Sequence, residues 1–241
     1  MILLAFSTSS EMLSVALFSD SQLIKEENHF SGLKHSERLL PTIKDILGVS
    51  SFSLKDIDAF AVDVGPGSFT GLRIGLATLK GLTFGERKKV IGALSLDALA
   101  ENVNSLSEVS LRTEVRTKTL VCPIIDAKQE RVYSAIYEIT KSGRLKRKID
   151  YSVIKIKDLL KKLNRQGGSP RRIQKTIFLG DGLEKYQDFI TQAKKDVAFL
   201  PREFWFPYAS VIAKLGLERL KRGKSDNINS LSPMYLIPPI K

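Results

Sequence analysis

Few side chains in this 241-residue sequence can do chemistry. It has two histidines, His29 and His35, and one cysteine, Cys122. A single thiol excludes an internal disulfide framework and any multi-thiolate zinc site. Histidines six residues apart stand about 120° from each other around any helix, so they do not form a ligand pair on one face, and no metal site is expected. Asp126 and Asp181, the second inside Gly180-Asp181-Gly182, are the acidic candidates for work on phosphates. As lone carboxylates near glycine they also suit turns.

The richest stretch is Gly65-Pro66-Gly67-Ser68-Phe69-Thr70-Gly71-Leu72-Arg73. It leaves an apolar run, turns, and enters a helix whose first free amides Ser68 can cap. Amides at a helix start attract anions, which makes Gly65, Gly67, Ser68, Thr70, Gly71 and Arg73 candidate anion or nucleotide contacts. A tight turn without a ligand is the alternative. No lysine follows Gly71, so the stretch is not a Walker A loop. Proline at 66 excludes the nucleophile elbow, and Thr70 breaks the dinucleotide fingerprint.

The elements that must hold this loop follow from periodicity. Ile2–Phe6, Met12–Phe18 and Gln22–His29 read as three strands joined by tight turns. Leu33–Leu47 switches to helical spacing, with Pro41 expected to kink that helix or mark a late start. Asp58–Val64 and Val90–Leu94 read as strands, Ser68–Gly85 as a helix, and Ser95–Leu106 as a helix capped by Ser95. The order is β-β-β-α-β-α-β-α. Beyond it, Thr119–Ile125, Val132–Ile139, Tyr151–Ile156, Lys175–Leu179 and Leu231–Leu236 suggest strands. Lys157–Leu163, Leu183–Ala193 and Ala209–Arg222 suggest helices, and residues 166–172 a loop.

The helix after the glycine loop is unusual. Between Ser68 and Gly85 its only charges are Arg73 and Lys80. It is apolar nearly all round, and its interior glycines each cost about 1 kcal/mol relative to alanine. Burial in the chain's own core is one reason; a partner subunit laid across the helix is the reading preferred here. The expected partner surface comprises Leu39, Leu40, Ile43 and Leu47 on the first helix. On the second it comprises Phe69, Leu72, Gly75, Leu76, Leu79 and Leu82.

Charge divides the chain. Residues 1–110 carry 10 basic and 13 acidic residues, and residues 111–241 carry 28 and 13. Residues 141–175 alone hold 13 basic and 2 acidic residues. Two lobes are expected, 1–110 and a basic 111–241, with RNA contact a candidate role for 141–175. Aromatics for base stacking are scarce there, with Tyr151 alone. No apolar run approaches the ~20 residues of a membrane span, and the basic start of a signal peptide is missing, so a cytoplasmic protein is expected.

Five segments, in order and spacing, resemble the TsaB (YeaZ) family. They are Ala5-Phe6-Ser7-Thr8-Ser9, His35-Ser36-Glu37-Arg38-Leu39-Leu40-Pro41, Gly65–Arg73, Asp126-Ala127-Lys128-Gln129-Glu130-Arg131-Val132-Tyr133 and Pro233-Met234-Tyr235-Leu236. The resemblance implies a two-lobed, actin-like or sugar-kinase-like α/β fold. It also implies a non-catalytic subunit that pairs with TsaD, the transferase of tRNA N6-threonylcarbamoyladenosine synthesis, through the helices matching 33–47 and 68–85. TsaE would join that pair, ATP or ADP would bind only at a surface shared with the partner, and the chain alone would self-associate. An independent ATP-binding enzyme of the actin-like superfamily is the alternative. Two departures stand out: Ser7 where the family has Asp, and Ile237 where it has Arg.

Overall fold

The computed structural model describes residues 1–30, 32, 34–105, 118–165 and 174–236. Leu33, Leu106, the expected loop at 166–172 and the Ile237 tail lie outside them. The described residues fall into two compact units, one from Met1–Ala98 with Pro207–Tyr235, the other from within Leu99–Phe206.

The first unit follows the expected β-β-β-α-β-α-β-α order. Its elements are β1 (Ile2–Ser7), β2 (Met12–Ser19), β3 (Gln22–Phe30), α1 (His35–Val49), β4 (Ala59–Asp63), α2 (Phe69–Leu82), β5 (Lys89–Ala93) and the start of α3 (Ser95–Glu101). The sheet order is β3-β2-β1-β4-β5. Ala5 on β1 stands opposite Ala16 of antiparallel β2 and Ala61 of parallel β4, so β1 is central and apolar on both faces. Pro41 does not interrupt α1, which runs as one helix through it. The ring is exposed there.

Strand alternation sorts the side chains of this sheet by size. Leu4, Phe6, Leu13, Val15, Leu17, Phe60 and Val62 form one face with residues of α1 and α2. The other face is lined by Leu3, Ala5, Ala16, Phe18, Ala59 and Ala61. That thinner face takes the helix Ala209–Lys221, numbered α6 below, which approaches closely: a Cβ on Gly216 would stand 2.9 Å from the Ala61 Cβ. The expected division at residue 110 is therefore corrected. Residues 207–235 return to the first unit, where α6 packs on its small-residue face.

The second unit repeats the plan with β6 (Lys118–Asp126), β7 (Arg131–Ile139), β8 (Leu145–Lys155), α4 (Ile156–Arg165), β9 (Gln174–Leu179), α5 (Leu183–Ala193) and β10 (Val197–Phe199), before α6 leaves for the first unit. Its sheet order is β10-β9-β6-β7-β8. β6 pairs antiparallel with β7 and parallel with β9, as β1 does with β2 and β4. The sequence places β8 too late: it starts at Leu145, because an edge strand full of lysine and arginine hides its alternation. The expected strand at Leu231–Leu236 is irregular chain, although the Met234 amide donates to the Val64 carbonyl at 2.7 Å. Helix α3 ends at Glu101 and continues as a 3-10 turn over Asn102–Ser105.

Candidate functional site

The loop-bearing end of the first sheet is built around a carboxylate that sequence reading overlooks. Asp63 ends β4 and is fully buried. Its Oδ2 accepts the hydroxyls of Ser7 at 2.8 Å and Ser9 at 2.5 Å, and its Oδ1 accepts the Ser95 hydroxyl at 2.6 Å and the Gly65 amide at 2.9 Å. Burial pushes its pKa up while these four donors pull it down. One side chain thus ties the end of β1, the glycine loop and the start of α3. Ser95 is spent on this knot instead of capping the helix. The departure at Ser7 is matched inside the chain, since a second carboxylate at position 7 would stand against Asp63. The available signal was a charged residue closing an apolar strand opposite Ser7-Thr8-Ser9-Ser10.

The glycine loop is stapled onto the same strand end. Ser68 caps α2, accepting the Gly71 amide at 3.2 Å, and the Ser68 amide donates to the Ser9 carbonyl at 2.7 Å. The Leu72 amide donates to the Ser68 carbonyl, and the Gly71 carbonyl accepts the Thr8 hydroxyl at 2.7 Å. A Cβ on Gly67 would overlap the Ser9 carbonyl oxygen, and one on Gly71 the Thr8 carbonyl oxygen. One on Gly75 would stand 2.6 Å from the Thr8 hydroxyl oxygen. These glycines admit the chain's own β1 instead of a second helix. The amides of Gly65, Ser68, Gly71 and Leu72, four of the loop's donors, are already engaged within the chain. Ser68, Thr70 and Arg73 are exposed.

The same burial rearranges the expected partner surface. Leu39, Ile43, Leu47, Leu72, Gly75, Leu76 and Leu79 lie in this chain's own interior. Both helices turn their wide apolar stripes toward their own sheet, so those side chains are not available to a partner in this fold. Leu40 remains 50% exposed and Phe69 41% exposed, and Leu82 is half-buried. The outer face of α2 continues through Arg73, Ala77 and Gly81 to Phe84, which is 88% exposed. A Cβ on Gly81 meets nothing within 4 Å. Phe69 is held in place: the Arg73 guanidinium lies 3.7 Å from its ring centroid, and the Tyr235 ring packs beside it at 5.3 Å.

The histidines are far from any shared role. His29 is on β3, 3.5 Å from Glu27, while buried His35 opens α1 with its Nε2 2.8 Å from the Ser10 carbonyl. Asp126 and Asp181, in contrast, are brought together at the corresponding end of the second sheet. Asp181 Oδ1 accepts the Asp126 amide at 2.9 Å, and Asp126 pairs with Lys128 at 2.9 Å. Burial and the neighbouring carboxylates of Asp126 and Glu184 push Asp181 up to about 6. Cys122 is buried, and burial raises its thiol to about 12, which leaves it inert at neutral pH. None of the helices among the described residues is long and apolar enough to cross a membrane.

Comparison with known proteins completes the picture. The family model described as TsaD, tRNA N6-adenosine threonylcarbamoyltransferase, matches residues 29–240. The tRNA threonylcarbamoyladenosine biosynthesis protein TsaB of Escherichia coli strain K12 is 29% identical over 238 residues, covering 98% of this chain and 94% of that protein. TsaB of Bacillus subtilis strain 168 is 26% identical over 237 residues, with 98% and 94% covered. The solved structure of YeaZ from Pseudomonas aeruginosa superposes with a TM-score of 0.74 at 25% identity, covering 98% of this chain and 99% of that one. The α/β fold that the resemblance implies stands, and with relatives of one name aligned along nearly its whole length, this chain belongs to the TsaB (YeaZ) family, within the reach of the TsaD family model.

Proposed function

We propose that this chain is a non-catalytic subunit of the machinery that makes N6-threonylcarbamoyladenosine on tRNA, and that it pairs with TsaD. The observation that carries the reading is the outer face of α2. Once the inner stripes of α1 and α2 are used by the chain's own sheet, Phe69, Ala77, Gly81 and Phe84 stay in contact with water. Leaving apolar groups of phenylalanine size exposed forgoes roughly 1.5–3 kcal/mol each, a loss that a partner helix laid over the small residues between them recovers. Leu40 extends that face onto α1. The chain alone would self-associate through the same surface.

The carboxylates fit a subunit without chemistry of its own. Asp63 is sealed among donors from its own chain, and Asp126 is paired with Lys128. A nucleotide, ATP or ADP, would bind at a surface shared with the partner, and TsaE would join the pair. The competing reading, an independent ATP-using enzyme, rests on the Asp126–Asp181 contact. It requires ATP turnover by the pure chain that disappears in Asp126→Ala; a flat baseline removes it.

The test follows from the side-chain positions. Size-exclusion of a mixture with TsaD should give a complex for the wild type and none for the double variant Ala77→Arg, Gly81→Arg. Circular dichroism of the variant should be unchanged, because both positions face solvent. Leu76→Arg is a poor substitute, since it would unfold the first unit. Failure of the wild type to form a complex, or equal binding by the double variant, would sink the proposal.

A further inference from the structure

The surface of the second unit has no role in the pairing just described. Between Lys141 and Arg165 the chain has ten basic residues and two acidic ones, Asp150 and Asp158. All of the basic residues from Lys141 through Lys162 are exposed. They lie on the β7–β8 turn, on β8 at the edge of its sheet, and on the outward side of α4, which packs on β8. Helix α4 buries Ile156, Leu159, Leu160 and Leu163 and turns Lys157, Lys161 and Lys162 outward. The two acids are answered locally, Asp150 by Arg147 at 3.2 Å and Asp158 by Lys161 at 3.2 Å. Lys148 pairs with Glu138 at 3.1 Å. The surplus is concentrated on these adjoining elements.

Lysine on an edge strand also guards against strand pairing. That purpose explains charge on β8 but leaves the same sign on the turn before it and the helix after it unaccounted for. An anionic membrane is a poorer fit than a polyanion. A membrane-surface element needs exposed apolar groups to insert. The large hydrophobics with high exposure among the described residues, from Met1 to Tyr235, all lie in the first unit. The basic face therefore has charge without a wedge.

We propose that this face, from the β7–β8 turn along β8 to the outer side of α4, binds the phosphodiester backbone of RNA. The sole aromatic within it, Tyr151, already has the Arg147 guanidinium 4.2 Å from its ring centroid. Contacts are then made to phosphates with little reading of bases. The charged face points to a nucleic-acid backbone by itself; the choice of RNA over DNA rests on the tRNA-modification role proposed above.

The experiment uses the full chain without any partner, so its outcome is separate from the pairing test. Fluorescence anisotropy against an unmodified tRNA transcript should show binding at about 50 mM salt that weakens steeply as salt rises. The combined variant Lys146→Glu, Lys155→Glu, Lys157→Glu, Lys162→Glu should lose at least about tenfold in affinity. It should also flatten the log–log salt slope by about 3 to 4, one counterion per lost contact. A matched reversal in the first unit, Lys44→Glu, Arg87→Glu, Lys89→Glu, Lys224→Glu, should change affinity much less. Unchanged melting temperature of the first variant keeps a folding defect out of the result. Absence of tRNA binding by the wild type, equal loss in both reversals, or binding to phosphatidylserine vesicles in place of tRNA would overturn the proposal. Equal binding to duplex DNA of the same phosphate number would overturn the RNA assignment while leaving the pairing proposal untouched.

Discussion

The two units share one strand order and present opposite surfaces. In each, a central strand pairs antiparallel with a hairpin partner and parallel with the strand that follows a helix. The first unit has 15 basic and 13 acidic residues and carries the exposed large hydrophobics. The second has 23 basic and 13 acidic residues, and its described large hydrophobics are buried or half-buried. The fold is set by the alternation of the strands and the inner stripes of the helices. What each unit meets is written on side chains the fold does not use.

The same contrast recurs at the strand ends, and it can be broken by mutation. Asp63 and Asp181 lie at the same end of equivalent strands, β4 and β9, yet Asp63 has four donors and Asp181 has one backbone amide. Asp63→Ala strands three hydroxyls and an amide in a dry interior, and should cost about 3–5 kcal/mol, the largest effect expected here. Urea unfolding checks it: a loss below about 1 kcal/mol would mean that the knot is not the element holding the glycine loop.

Asp181→Asn should act in the opposite direction and with a pH dependence. A carboxyl whose folded value is raised to about 6 binds its proton more tightly when folded than when unfolded. Its contribution to stability is therefore fully present below about pH 4, is lost as pH rises toward 6, and stays lost above. Asparagine keeps the oxygen that accepts the Asp126 amide and removes the charge. The variant should match the wild type near pH 4 and exceed it by about 2 kcal/mol at pH 8. Equal stability of the two at both pH values would show that Asp181 is solvated like an ordinary surface carboxylate.

The strand and helix order of the first unit could be read from the residues because its periods are clean: β1 is a continuous apolar run, and α1 keeps its stripe through Pro41. Three things could not be read. Helix α6 belongs to the first unit, since what draws it back is a face of alanines formed by three strands distant in sequence. Asp63 was overlooked because its four donors come from three segments, Ser7 and Ser9, Gly65, and Ser95, that only the fold brings together. Seven of the ten residues expected on a partner surface are core instead, because a helix apolar all round has no sequence mark telling its inner side from its outer. Leu72, Leu76 and Leu79 look like a contact stripe, and only the sheet under them decides that they are core.

The glycines of α2 allow the smallest and cleanest test of that last distinction. Gly71 and Gly81 sit on one helix in a shared sequence context, but a Cβ on the first would enter the Thr8 carbonyl oxygen and one on the second meets open space. Gly81→Ala should raise stability by about 1 kcal/mol, the ordinary helical preference for alanine over glycine. Gly71→Ala should lower it, since backbone cannot give way as a flexible side chain does. Thermal melts of the pair decide the matter by sign alone. If Gly81→Ala stabilises the chain and also weakens the proposed complex with TsaD, the glycine is kept at a cost in stability for a partner's approach, which is the trade expected of a surface held open for another chain.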